Sequence, residues 1–152
     1  MVSDKQRFTV DEWLWHDVRG ENGEARRAQA FRFLETLNRK CDMIVTLKRS
    51  PFEQKFFETC EHAETRTRAI VRFFWLVIYS NKQKYLTVED DECSLPPEGI
   101  PAKPDDLYLV RLAASGYGTV ITSDHLLMQI LQERNIPCVH RDELLGQYTE
   151  NG

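Results

Sequence analysis

Five of the chain's 24 acids fall near where helices and strands would begin or end. Asp105 and Asp106 open the stretch "DDLYLVRLAASGYGTVITSD", and Asp124 closes it. Asp11 directly follows the strand-like "RFTV", and Glu53 lies one turn into a segment that Ser50-Pro51 would start as a helix. Carboxylates brought to one place repel one another unless a cation neutralises them. Oxygen-only donors suit Mg²⁺ or Mn²⁺, which keep several waters and bind substrate phosphates. Asp11, Glu53, Asp106 and Asp124 are therefore candidate ligands for such an ion.

Gathering them requires a particular scaffold. "RFTV" reads as a short strand, and "GEARRAQAFRFLETLNRK" has apolar residues at helical spacing. "CDMIVTL" is a β-branched strand. Pro51 takes the favoured first-turn position of the next helix, a segment reaching Tyr79 that reads as one helix or as two divided near residues 63–67. "KYLTV" is a third strand, and residues 89–104, rich in proline and acid, form a loop. A helix from Asp106, the strand "GTVIT", the helix "HLLMQILQER" and the strand "IPCVH" follow. Strands alternating with helices predict an α/β fold, a parallel sheet covered on both faces. In such sheets, sites form at the carboxyl ends of the strands. That edge is where Asp11 and Asp124 end strands and where Glu53 and Asp106 start helices.

Bulk properties narrow the function. At 152 residues the chain is long enough for one domain, residues 1–152, with a proper core. A net charge of -4 argues against coating nucleic acid by bulk electrostatics, yet it allows a local basic rim around an acidic centre. "MVSDKQR" lacks the apolar core of a signal peptide. The longest apolar run, "IVRFFWLVIY", is too short to span a bilayer and contains Arg72; part of it, "FFWLVIY", reads as core or as a homodimer surface. Cys41, Cys60, Cys93 and Cys138 form no CxxC pair, which implies reduced thiols and a cytoplasmic protein. The four histidines show no metal-ligand spacing.

Asp106, Leu109, Ala113 and then "TVITSD" followed by "HLL" resemble the second half of PIN-domain nucleases. In that family an Asp opens a helix with an aliphatic residue at +3 and Ala at +7, and a strand ending in Thr-x-Asp follows. Asp11 after "FTV" resembles the family's first acid and Glu53 its second. The resemblance implies a three-layer α/β/α sandwich with a central parallel sheet that holds Mg²⁺ or Mn²⁺ on Asp11, Glu53, Asp106 and Asp124. It implies an endoribonuclease acting on RNA, plausible as the toxin of a toxin–antitoxin pair with an antitoxin protein as partner. Lys48, Arg49 and Lys55 would hold phosphates, and Thr122 or Ser123 a metal-bound water. The sequence departs from the pattern after Asp11, where "DEWLW" replaces the usual small polar residue.

Other readings stand beside this one. Asp105 and Asp124 occupy N-cap positions, and a cap explains either without chemistry. Glu58 competes with Glu53 for the fourth place. A non-catalytic PIN-like module in an RNA-processing assembly accounts for "DEWLW", and a phospho-accepting receiver domain shares the acidic, doubly wound character.

Overall fold

The computed structural model describes residues 5–150. Five strands, β1 (Arg7–Val10), β2 (Met43–Leu47), β3 (Tyr85–Val88), β4 (Thr119–Thr122) and β5 (Cys138–His140), form one sheet in the order β3-β2-β1-β4-β5. Every pairing is parallel. All five residues of β2 are buried, as a strand covered on both faces must be. Helices α1 (Trp13–Val18), α2 (Glu24–Arg39), α3 (Pro51–Cys60), α4 (Thr65–Phe73), α5 (Leu107–Ala114), α6 (His125–Glu133) and α7 (Arg141–Glu150) flank it. The result is a three-layer α/β/α sandwich. A receiver-type sheet runs 2-1-3-4-5, so this strand order excludes that alternative.

Local chemistry places most boundaries. Ser50 accepts a hydrogen bond from the Glu53 N–H, with Pro51 next to it, so α3 starts where the Ser-Pro pair predicts. The long segment after Pro51 is two helices: α3 ends at Cys60, and Glu64 caps α4 through the N–H groups of Arg66 and Thr67. α4 then runs into a π-helical stretch, Phe74–Tyr79, whose Phe74 and Ile78 enter the core. Of the apolar run, Trp75 and Leu76 instead face outward. Gly118 sits where a Cβ would lie 2.9 Å from the Arg7 carbonyl oxygen, so glycine lets β4 close against β1.

Three elements differ from the sequence expectation. The helix expected from Asp106 begins as a 3₁₀ turn, Pro104–Asp106, and becomes α-helical at Leu107. "WLWHDV" is helical and packs Trp13, Leu14 and Trp15 into the core. Residues 141–150, without an expected element, form α7. Among the described residues, no helix is long and apolar enough to cross a membrane.

Candidate active site at the switch point of the sheet

The chain moves from β1 to β2 on one side and from β3 across to β4 on the other. The strand order therefore reverses between β1 and β4, and a crevice opens there at the carboxyl edge. Asp11 and Asp124 come from the ends of those two strands, and Asp106 from the turn before α5. All three line one cleft of about 620 Å³, together with Glu12, His16 and Lys103.

Each acid is held differently. The Asp11 N–H donates to the Ile121 carbonyl at 3.1 Å, stitching β1 to β4 one residue past their register. Its Oδ1 accepts from the Glu12 N–H at 2.7 Å, and its Oδ2 accepts from the Thr122 hydroxyl at 2.9 Å. Burial pushes the Asp11 carboxyl up, against the pull of those two hydrogen bonds, and Asp124 adds to the rise. Asp124 Oδ1 caps α6, accepting from the N–H groups of Leu126 and Leu127 at 2.9 and 3.2 Å. Its Oδ2 accepts no hydrogen bond among the described residues. Thr122 serves both acids, since its hydroxyl oxygen also accepts from the Asp124 N–H at 3.1 Å.

Asp106 is the exception. It stands at the N-cap of α5, yet its carboxylate makes no capping hydrogen bond. Its pKa is pushed up to about 6, chiefly by burial and then by Asp11 and Asp124, with Lys103 opposing. Glu12 is raised too, by burial and by Asp11. The cleft therefore concentrates negative charge that its own hydrogen bonds only partly offset.

The wall beneath the cleft is stiff. Asp17 of α1 and Arg141 of α7 form a buried ion pair, with Arg141 5.1 Å over the Trp13 ring. The Trp13 indole N–H donates to the Ile121 carbonyl at 3.0 Å, beside Asp11's own bond to that oxygen. Asn22 donates to Asp17 at 2.7 Å, and Glu21 reaches back to His16 Nδ1 at 2.6 Å, so the α1–α2 turn closes the rim.

Glu53 does not join. Its Oε1 accepts from the Arg49 N–H and its Oε2 from the Tyr85 hydroxyl, both at 2.8 Å, and the side chain is buried away from the cleft. Starting from the right edge did not suffice, because Tyr85 of the neighbouring β3 claims the carboxylate. Glu58 is no substitute: it pairs with Arg19 and Lys55 at the surface. In its stead Glu12 and Glu21 line the cleft beside the three aspartates, and of these the sequence showed Glu12 only as a departure after Asp11. Asp105 also lines the cleft as an exposed side chain without a cap bond of its own. His16 and Lys103 carried no signal, since their proximity depends on the α1–α2 turn and the long loop. Lys48 and Lys55, expected at phosphates, pair with Glu89 and Glu58. His125 stacks on His140 with ring centroids 4.4 Å apart.

The donor set is all oxygen, as Mg²⁺ or Mn²⁺ prefer. Among the described residues, no three acid, histidine or cysteine side chains stand together as a ready-made metal cage. Acceptor capacity is left over among the described residues: Asp106 has both oxygens uncommitted, Asp124 has Oδ2, and each Asp11 oxygen has accepted only one hydrogen bond. Compared with known proteins, the chain matches no family model, no curated protein and no solved structure.

Proposed function

We propose that this protein is a metal-dependent endoribonuclease of the PIN-domain type, with Asp11, Asp106 and Asp124 as its metal-holding acids and Glu12 beside them. One observation carries the reading. A half-buried carboxylate, Asp106, faces two others at the switch point and makes no cap. A helix cap accounts for Asp124 and a turn for Asp11, whereas neither accounts for Asp106. Perturbed acids in a cleft are the environment that hydrolytic chemistry uses.

Mg²⁺ or Mn²⁺, when bound, would polarise a phosphodiester and acidify an attacking water. The chain's own part is orientation. Thr122 fixes the Asp11 carboxylate, the α6 N-terminus fixes Asp124, and Asp106 supplies the uncommitted charge. Lys103, which lines the cleft and whose charge opposes the rise of Asp106, would meet a phosphate oxygen. A toxin with an antitoxin partner is the biological setting that the resemblance to PIN-domain nucleases implies.

Asp106→Asn and Asp124→Asn should each abolish Mn²⁺-dependent cleavage of labelled RNA while far-UV circular dichroism stays intact. Cleavage that survives EDTA, or survives both substitutions in folded protein, would remove the cleft from the reaction. The second reading, a non-catalytic PIN-like module, is favoured by the sealing of Glu53 and by the lack of a ready-made three-ligand cage among the described residues. That reading expects no cleavage at any Mn²⁺ concentration.

A further inference from the structure

A cleft carrying Asp11, Glu12, Glu21, Asp105, Asp106 and Asp124 against Lys103 and His16 repels a polyanion. The whole chain, at a net charge of -4, does the same. If RNA is the substrate, its affinity must come from another surface. Several of the chain's cations are already engaged: Arg19 and Lys55 with Glu58, Lys48 with Glu89, Arg26 with Asp142.

One strip differs. Along α4 and the π-helical stretch after it, Thr65, Arg68, Ala69, Arg72, Trp75 and Leu76 line a shallow groove of about 580 Å³. Their spacing of 3, 4, 7, 10 and 11 residues from Thr65 puts them on one face. Arg68 and Arg72 are exposed, and among the described residues neither side chain makes an ion pair or hydrogen bond. Trp75 is 41% exposed and Leu76 62%. Behind it the Trp75 ring rests on Tyr79, centroids 5.0 Å apart and 30° from parallel, and Phe57 stands 6.5 Å away. The indole is thus held rigid with part of its surface in water. A single exposed ring or arginine is ordinary surface. Two unpaired guanidiniums one turn apart, leading to a pinned indole, form a pattern that recognises a charged backbone bearing flat rings.

The strip starts near the α1–α2 turn that rims the cleft. Arg66, next to Thr65, bridges to Glu24 at 2.9 Å, three residues after the cleft residue Glu21. From there the helical rod runs for 9 residues of α4 and 6 of the π-helical stretch, about 20 Å of surface.

We propose that this strip is a single-stranded RNA site in which Arg68 and Arg72 hold phosphates and a base stacks on Trp75. The proposal rests on RNA being the substrate of the cleft. It is tested by the anisotropy of a fluorescein-labelled oligouridylate in EDTA, with tryptophan emission read in parallel. Trp13 and Trp15 are buried, so quenching reports on Trp75. Trp75→Ala should weaken binding about tenfold, Trp75→Phe should restore most of it, and quenching should vanish with the indole. Arg68→Ala and Arg72→Ala should each lower the slope of log affinity against log salt by about 0.7. The two arginine variants touch no partner among the described residues and keep the test open should Trp75→Ala fail to fold.

Equal affinity in wild type and all these variants overturns the strip, and if wild type still cleaves RNA the nuclease reading survives. Binding that depends on Trp75 and Arg72 without any Mn²⁺-dependent cleavage sustains the strip and sinks the nuclease. A wild-type dimer that Trp75→Ala converts to monomer with RNA affinity unchanged assigns the face to a second copy and overturns the proposal. So does an absence of oligouridylate binding by wild type.

Discussion

Replacing Asp106 by asparagine should make the metal-free protein more stable at neutral pH, and the size of the gain follows from the charge it removes. The carboxyl has an ordinary value of 3.8 and stands at about 6 in the fold. The difference, 6 minus 3.8, is about 2.2, which at 1.36 kcal/mol per pKa unit is about 3 kcal/mol for a fully desolvated group. Asp106 is only half-buried, so solvent screens part of this, leaving about 1.5 kcal/mol. A folded pKa above the unfolded one means that the unfolded chain holds its charge more cheaply. The penalty is complete above pH 6, shrinks as pH falls through that value, and is gone below 3.8. The amide of Asp106→Asn keeps the shape and loses no capping bond, since Asp106 makes none. Urea denaturation at pH 7 should therefore show Asp106→Asn more stable by about 1–2 kcal/mol, or about 3–6 °C in melting temperature for a chain of this size. At pH 4 the advantage should fall to roughly a few tenths of a kcal/mol by the same linkage. A substitution that destabilises at pH 7, or that stabilises equally at both pH values, would refute the charge argument and return Asp106 to an ordinary surface position.

Three further outcomes follow from the same geometry. Mn²⁺ at about ten times its dissociation constant should raise wild-type stability by about 1.4 kcal/mol by mass action, and Asp106→Asn should gain much less; equal gains in thermal melts would place the ion elsewhere. Glu53→Gln should leave cleavage unchanged, because the carboxylate is committed to Arg49 and Tyr85. Glu53→Ala, which strands the buried Tyr85 hydroxyl, should cost about 1–3 kcal/mol in denaturant melts, and a loss of cleavage in folded Glu53→Gln would contradict this placement.

What was legible in the sequence is what local chemistry decides. Ser50-Pro51 announced α3, "TVITSD" announced a strand and a capped helix, and the alternation of elements announced the parallel sandwich. The convergence of Asp11, Asp106 and Asp124 followed, because each sits within two residues of an element end on one edge. What failed depends on partners distant in sequence. α7 has little amphipathic pattern; it is anchored by Tyr148 donating to Asp42 at 2.5 Å and by Arg141 on Asp17, contacts spanning 106 and 124 residues. α1 hides because "EWLW" crowds aromatics that suit strands as readily as a buried helical turn. Glu53 misled because its edge position was right while its partner, Tyr85, comes from another strand.

The bland and the chemical explanations of these acids make different demands on the fold, and the three aspartates divide between them. An N-cap is satisfied by one oxygen, and Asp124 gives one oxygen to α6 and leaves the other open. A turn acid is satisfied by the groups it turns around, and Asp11 spends one bond on Glu12 and one on Thr122. Neither demand is met at Asp106, whose carboxylate adds repulsion to the rim without a capping bond in return. A neutral amide there would be easier to fold around. Natural sequences sit close to their stability threshold, so a residue that costs stability and caps nothing is what the proposed metal-holding role expects. The same reasoning extends to the far end of the proposed RNA path, where Arg68 and Arg72 stand without acidic partners among the described residues on a chain of net negative charge. An acidic centre that repels RNA until it binds a cation, joined to a cationic strip that attracts it, would make productive binding depend on the metal being in place.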